Sequence, residues 1–367
     1  MQSSPMEVLL ESSSLFFNKH TGIPRYIDNL YEAMVALEGV DPILAYHLKK
    51  IKKGKDLPEK YKDKNHIWHW NRVAFGLKNS CKIAHSLHTP FLNLKSCKKV
   101  ATVHDMAVHL DQFKAYNFAS EYFQNKRFQL FKNFTKHADA IITVSEVTKR
   151  DFLSFFNFPE ENIHVVPLAP SKRHEVLTPE EELLLLQKLG LNNQPYFLSV
   201  GGISLRKNSF NLIKGYHLSA SRKQHKLVIV GKIEDNHKEE VYQYIQKHHL
   251  ENDIIITKYI DDRDLHSLYK NASAFLFPTF YEGFGIPIIE ALMHQLPVIT
   301  STTGAAPETS GGNTILVNPF EPESIAVGID KSGVWTEQQR IKAKEYAETF
   351  TWRETARKTV AVYKKLM

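Results

Sequence analysis

The stretch Phe280-Tyr281-Glu282-Gly283-Phe284-Gly285-Ile286-Pro287-Ile288-Ile289-Glu290 governs how the rest of the chain is read. An apolar run, Ala274–Phe277, precedes it and an apolar-periodic segment through Leu292 follows, so it is the turn from a strand into a helix. Gly283 and Gly285 let the backbone approach a ligand closely, Pro287 presets the first helical turn, and the free amides there suit a negatively charged group. Two carboxylates bracket this entrance. Glu290, read in the first helical turn, is placed to take hydroxyl groups; the plainer alternative is that Glu282 lies on the surface and Glu290 only complements the helix dipole.

The same strand–turn–helix unit recurs on both sides. Strands are predicted at Tyr196–Val200, Leu227–Val230, Ile254–Thr257, Ala274–Phe277, Val298–Thr300 and Thr314–Val317, with Asp261–Asp262 capping a helix over Leu265–Asn271. An earlier series is predicted at Val8–Leu10, Ile43–His47, Ile83–Ser86, Val100–Val103, Ala140–Val144 and His164–Val166. Between the two, Pro167, Pro170 and Pro179 bracket a polar linker, and Thr178–Gly190 reads as an N-capped helix ending at glycine. Repeated βαβ units make parallel sheets. The class is therefore α/β, with an N-terminal domain over residues 1–172, a second over 173–351, and a last helix, 352–367, that packs back on the first. A chain of 367 residues with 43% hydrophobic content suits two such domains, and two domains imply a cleft.

Two further loops carry candidate chemistry. The strand Tyr196–Val200 ends in Gly201-Gly202, and Arg206-Lys207-Asn208 opens the next helix. Two cations beside a flexible turn can neutralise a diphosphate, each charge-assisted hydrogen bond contributing about 1.5–3 kcal/mol. The G-x-x-x-x-G-K-[ST] spacing is absent, so this is no nucleotide P-loop, and an exposed Arg-Lys pair by itself is ordinarily just solvated. Near the N-terminus, Thr21-Gly22-Ile23-Pro24-Arg25-Tyr26 puts one glycine at a helix start, and Val103-His104-Asp105 ends an apolar strand at the carboxyl edge where open α/β folds bind ligands. An isolated histidine is more often a core residue than a ligand-binding one.

Composition limits the alternatives. Cys81 and Cys97 are the only cysteines, without disulfide-framework or zinc spacing, which suits a reducing cytosol. Met1–Glu7 lacks the regions of a signal peptide and no apolar run approaches the ~20 residues of a membrane span, so a soluble or peripheral protein is expected. The net charge of +7 concentrates in Lys49–Lys64. That segment and the aromatic-basic stretch Phe113–Lys136, with Phe123, Lys126, Arg127, Phe128 and Phe131, are candidates for a surface that meets a lipid-linked acceptor on an anionic membrane, against a plainer solvated loop and core helix. No nucleic-acid reader motif accompanies the charge, which leaves a basic nucleic-acid-binding protein as the remote alternative.

The ordered set T-G-I-P-R-Y, V-H-D, T-V-S-E (Thr143–Glu146), V-G-G-x-x-x-R-K-N, Y-x-x-x-x-D-L-x-x-L-Y, E-G-F-G-I-P-I-I-E and P-V-I-T-S-x-x-G-A-A-P-E runs from Gly22 to Glu308. It resembles the retaining GT-B glycosyltransferases of family 4 (glycosyl transferases group 1), and within them the bacterial mannosyltransferases of surface polysaccharide synthesis such as O-antigen. The resemblance implies two Rossmann-like domains with parallel sheets facing a central cleft. It implies a catalytic set of His104, Arg206, Lys207 and Glu282, with Arg206 and Lys207 on the donor diphosphate, Glu282 on the transferred sugar and His104 positioning that sugar or the incoming hydroxyl. Glu290 would hold the ribose, Tyr259-Ile260 the base, and Gly22, Gly202, Gly283, Phe284, Gly285 and Thr303 would complete the donor site.

The implied reaction moves a hexose, mannose from GDP-mannose being the leading choice, from a nucleoside diphosphate sugar to a hydroxyl of a glycan or lipid-linked glycan, with retention. The donor is a co-substrate; no cofactor, no metal and no nucleic acid is expected, and the setting is cytoplasmic or peripheral on the inner face of the membrane. A sugar-nucleotide epimerase or phosphorylase of the same architecture is the alternative. Two departures stand out: one glycine rather than two in the Gly22 loop, and His294-Gln295 where the family has a small residue and glycine, on a helix end read as away from the ligand.

Overall fold

The computed structural model describes residues 5–16, 22–49, 61, 64–70, 72–75, 81–94, 96–116, 118–171, 176–191 and 194–367. Thr21 and most of Lys49–Lys64 lie outside these, with only Lys49, Tyr61 and Lys64 of the basic stretch described. Contacts divide the chain into two units, Met1–Ser171 with Phe350–Met367, and Lys172–Thr349.

The first unit is built on strands β1 (Met6–Glu11), β2 (Val40–His47), β3 (His66–Trp70), β4 (Val73–Phe75), β5 (Ile83–Ser86), β6 (Lys98–Val103), β7 (Ala140–Thr143) and β8 (Ile163–Val165). They form one sheet in the order β4-β3-β2-β1-β5-β6-β7-β8. All pairs are parallel except β3 with β4. Continuous burial along β5 and β7 follows from covering a parallel sheet on both faces. No strand is predicted between His47 and Ile83, yet β3 and β4 lie there. Their signal is the period-2 alternation of His66-Ile67-Trp68-His69-Trp70, which turns Ile67 and His69 inward and which the histidines disguise as polar.

The helix Trp352–Lys365, capped by Thr351, packs on the helix Gly22–Val35 of the same unit. Its Trp352 indole donates to the Pro170 carbonyl at 2.8 Å and its Thr355 hydroxyl to that of Pro167 at 2.9 Å. Tyr363 reaches His85 Nδ1 at 2.6 Å, His85 Nε2 meets the Thr102 hydroxyl at 2.8 Å, and Thr102 meets the Tyr26 hydroxyl at 3.2 Å. This chain of buried polar groups ties the C-terminal helix, β5, β6 and the first helix together. Each of its members is satisfied, which is the condition for burying it.

In the helix Glu121–His137 the Ser120 hydroxyl caps the start. The structure corrects the expectation of a single aromatic-basic surface here. Phe131 is buried, Phe128 packs against the same core, and Arg127 turns inward to the Asp105 carbonyl at 3.1 Å. Tyr122, Phe123, Lys126, Lys132 and Lys136 stay exposed, while the helix gives its apolar stripe to the core. Among the described residues no helix is long and apolar enough to cross a membrane.

The second unit holds β9 (Tyr196–Val200), β10 (Lys226–Val230), β11 (Ile254–Thr257), β12 (Ala274–Phe277), β13 (Val298–Ser301) and β14 (Ile315–Val317), all parallel in the order β11-β10-β9-β12-β13-β14. Thr178 and Glu181 form a full capping box on the helix Pro179–Lys188, and Gly190, at φ 69°, follows its end. In each unit the strand order reverses direction, between β1 and β5 in the first and between β9 and β12 in the second. Such switch points open a crevice at the carboxyl edge of the sheet.

His109 packs among the rings of Phe128, Phe131 and Phe155, with no hydrogen-bond partner for Nε2 among the described residues. Burial pushes its pKa down to about 4, and burial likewise takes His85 to about 3 and His88 and His104 to about 4. The unfolded chain therefore binds protons that the folded chain refuses. Stability is intact above about pH 6.5 and is lost as pH falls toward 4, at up to about 1.4 kcal/mol per pH unit for each fully buried histidine. Replacing His109 by Phe removes one of these groups and is expected to recover part of that loss. Thermal unfolding followed from pH 7.5 to 4.5 checks it, and an unchanged acid slope in His109→Phe contradicts it.

Candidate functional site

At the switch point of the second unit, two loops meet beyond the carboxyl ends of β9 and β12. The first carries Arg206 and Lys207, the second Glu282. A single carboxylate oxygen, Glu282 Oε1, accepts from Arg206 Nη1 at 3.0 Å and from Lys207 Nζ at 2.8 Å. Glu282 is only 9% exposed, so the surface alternative for it is set aside. Burial pushes its carboxyl up, but the charges and hydrogen bonds of Arg206 and Lys207 outweigh this and hold it below the ordinary carboxylate value. The cations have further anchors: Arg206 Nη1 donates to the Tyr281 carbonyl at 3.0 Å, and Lys207 Nζ stands 4.9 Å from the centre of the Phe277 ring.

The backbone around these groups is fixed from several sides. Phe280 N donates to the Arg206 carbonyl at 3.1 Å, and Ala305 N to the Glu282 carbonyl at 2.9 Å. Thr303 donates its hydroxyl to the Phe280 carbonyl at 2.8 Å, so its visible task is to hold the Glu282 loop. Gly304, at φ 60°, leaves no room for a side chain: a Cβ would lie 2.9 Å from both Glu282 N and Glu282 O. Asn208, third residue of the R-K-N run, takes the left-handed conformation at φ 58° and donates its amide to the carbonyls of Pro278 at 2.9 Å and Pro319 at 2.6 Å. Its role is legible only in three dimensions. Both carbonyls it bridges are remote in sequence.

Gly202 also has a structural reason to be glycine. At φ 72° its Cβ would stand 1.9 Å from the Lys232 carbonyl, because the turns after β9 and β10 touch backbone to backbone. Gly283 and Phe284 are buried, the Phe284 carbonyl accepting from the Thr309 hydroxyl at 2.5 Å, and Gly285 at φ 98° starts the helix Ile286–Met293. At that helix start Pro287 has no N–H to give, and the Ile288 amide already donates to the Gly285 carbonyl at 2.9 Å.

Glu290 is the fifth residue of this helix rather than a member of its first turn, a correction that moves it off the dipole terminus. Tyr269 donates its hydroxyl to Glu290 Oε2 at 3.2 Å. His294, expected on a helix end away from the ligand, bonds the Glu290 carbonyl one turn earlier through Nδ1 at 2.7 Å and His266 Nδ1 through Nε2 at 2.9 Å, with its ring stacked on Tyr269. Gln295 adopts φ 60°, a conformation in which glycine is the unstrained residue. Tyr259 and Ile260 lie beyond β11, at the same carboxyl edge but two strands from β9, ahead of the Asp261 cap. Tyr259 is exposed.

His104 and Gly22 belong to the first unit, and the cluster just described to the second. His104 Nε2 donates to the Leu87 carbonyl at 3.0 Å, which leaves Nδ1 as the lone-pair nitrogen of a neutral ring, and Tyr26 meets that ring edge-on at 4.7 Å. Gly22 is the first residue of its helix and a Cβ there would enter open space. The sequence reading passes over Glu11, the end of β1, although a charged residue closing an apolar strand is the signal that picks out His104. Its buried carboxylate accepts from Ser13 N and His69 Nε2, both at 3.3 Å, and from the Thr89 hydroxyl.

Comparison with known proteins places these features. The family model Glycosyltransferase Family 4 matches residues 21–169, and Glycosyl transferases group 1 matches residues 184–348. O-antigen chain mannosyltransferase B of Escherichia coli is 31% identical over 234 residues, 62% of this chain and 61% of that protein. The serotype-specific mannosyltransferase WbdA of Escherichia coli is 25% identical over 283 residues, 74% of this chain but 34% of that protein. The chain thus aligns with less than two thirds of each of these two. Among solved structures, a glycosyltransferase from Rickettsia africae superposes with a TM-score of 0.73 at 18% identity, covering 99% of both chains, which establishes the shared GT-B fold.

The glycines of the site separate by geometry. Gly202→Ala is expected to cost about 2–4 kcal/mol, from backbone overlap and a left-handed φ together, whereas Gly22→Ala stays within about 0.5 kcal/mol of the wild type. Urea unfolding of the two variants is the measurement, and equal stabilities would refute the assignment.

Proposed function

This chain belongs to the glycosyltransferases that join a family 4 domain to a group 1 domain, and from that premise we propose that it transfers a hexose from a nucleoside diphosphate sugar to a hydroxyl of a glycan or lipid-linked glycan, with retention at the anomeric carbon. The observation that carries the proposal is the pair Arg206 and Lys207, fixed beside Glu282 at the carboxyl edge of the second unit's sheet. The names of the mannosyltransferase relatives support mannose as the sugar and, for one of them, O-antigen as the product, and GDP-mannose is the donor proposed with them.

In this reading the bond between the anomeric carbon and the β-phosphate oxygen breaks with its electron pair going to the phosphate. Arg206, Lys207 and the amides after Gly285 take up the growing negative charge, the kind of preorganised stabilisation that dominates such steps. The acceptor hydroxyl gives its proton to a donor phosphate oxygen and forms the new bond on the face the leaving group vacates, which retains configuration. Glu282 contacts the hexose hydroxyls, Glu290 the ribose and Tyr259-Ile260 the base. The first unit supplies the acceptor side, with the Gly22 loop toward the phosphates and His104, neutral at working pH, orienting the sugar or the incoming hydroxyl. No metal is required in this reading, because the two cations and the helix-start amides together meet the diphosphate. The protein works in the cytoplasm, at the inner face of the membrane when its acceptor is lipid-linked.

The roles separate in kinetics. Lys207→Ala is expected to lower kcat by about 10²–10³, the scale for removing one group that stabilises charge developing in the transition state. Glu290→Gln meets no change of charge and raises the donor KM with kcat little altered. A thermal-shift series with GDP, UDP, ADP and dTDP identifies the nucleotide, GDP being expected to stabilise most. Activity should survive EDTA and give an α-linked product from an α-linked donor. A β-linked product overturns retention, loss in EDTA restored by Mg²⁺ overturns metal independence, and conversion of the donor without an acceptor favours an epimerase.

A further inference from the structure

Both cations of the candidate diphosphate site already have an anion. Arg206 and Lys207 converge on one oxygen, Glu282 Oε1, at 3.0 and 2.8 Å, and the carboxylate is the most enclosed of the three groups, its side chain 11% exposed against 35% and 20% for the cations. A carboxylate so placed occupies, in charge and in position, the ground a phosphate would need. We infer that Glu282 is a place-holding anion, whose charge keeps the two cations aimed while the site is empty and then opposes the nucleoside diphosphate left after transfer. The inference rests on the reading of Arg206 and Lys207 as diphosphate ligands.

The charge balance gives this a direction. In the sugar nucleotide the β-phosphate is esterified and singly charged, and the hexose stands beside it with hydroxyls that can donate to Glu282. After the glycosidic bond breaks, the terminal phosphate gains up to one more negative charge and the hexose hydroxyls are gone. Two anions then share two cations in a partly dehydrated site, where opposing charges are poorly screened. The carboxylate thereby discriminates against the product nucleotide relative to the donor. Removing its charge would loosen the cations without stripping them of support. Arg206 keeps the Tyr281 carbonyl and Lys207 keeps the Phe277 ring, while Gly304 and Ala305 fix the Glu282 backbone independently of its side chain.

The sign of the effect is what separates this role from ordinary ligand contact. Were Glu282 simply a donor-binding residue, its loss would weaken nucleotide binding or leave it unchanged. The place-holder predicts the reverse. Calorimetric titration of GDP and UDP into the wild type, Glu282→Gln and Glu282→Ala is expected to show both variants binding the preferred nucleotide about tenfold tighter, the scale of one charge-assisted contact, with the gain shrinking in high salt while transfer activity falls. Equal or weaker binding in the variants, with the wild type binding normally, overturns the place-holder alone. A wild type that binds no nucleoside diphosphate overturns the donor-site reading and this inference with it. Should the variants not fold, a structure of the wild type with the nucleotide decides. Glu282 displaced from Lys207 or Arg206 supports the inference, and Glu282 still bonded to both refutes it.

Discussion

Two positive charges held against one buried carboxylate, Arg206 and Lys207 against Glu282, set the constraint on which the second unit's functional edge depends. A buried carboxylate is costly unless it is fully paired, and two like charges a few ångströms apart repel unless something negative stands between them. Each group therefore needs the others. Because the partners come from the ends of β9 and β12, the pairing also ties the loops after those two strands to each other.

The backbone pays for this arrangement in glycines and in one strained asparagine. Gly202 and Gly304 stand where any Cβ would strike a carbonyl or an amide of the neighbouring loop, and Asn208 holds a left-handed conformation in return for bridging two proline carbonyls. None of these residues needs to touch a ligand to be indispensable. They set the separation of the loops that carry the charges, to within the few tenths of an ångström over which a hydrogen bond forms or fails. Glu290 is held by a different set, Tyr269 at its carboxylate and His294 at its carbonyl, so the two glutamates of the entrance answer to separate supports.

The first unit follows another strategy. Its polar groups at the switch point are mostly neutral and buried: His85 is enclosed between Tyr363 and Thr102, and His104 is pinned by a backbone carbonyl with burial and the nearby His88 keeping it unprotonated. A neutral imidazole there can accept as well as donate, which suits the recognition of hydroxyl groups better than that of phosphate. The first unit's edge thus sets neutral imidazoles beside the single Glu11 carboxylate, where the second unit's is built on two cations sharing one.

How much of this could be read from the sequence differs with the kind of signal. Parallel strands buried on both faces announce themselves as apolar runs, and helix ends by their caps, so twelve strands, the Thr178 capping box and the start of the last helix at Trp352 are legible locally. β3 and β4 are not, because histidine and tryptophan at alternating positions hide an inward face that only the neighbouring β2 reveals. The same limit applies to the site. Glu282, Glu290, Arg206 and Lys207 are picked out by residue type and by their place between strand and helix, which are properties of the chain itself. That one oxygen of Glu282 serves both cations, that Thr303 and Gly304 clamp its backbone, and that His294 meets His266 are decided by the tertiary structure alone. Periodicity and capping are carried by neighbours within a few residues, whereas a hydrogen bond between Arg206 and Glu282 spans some seventy-six, and nothing short of the folded sheet brings such positions together.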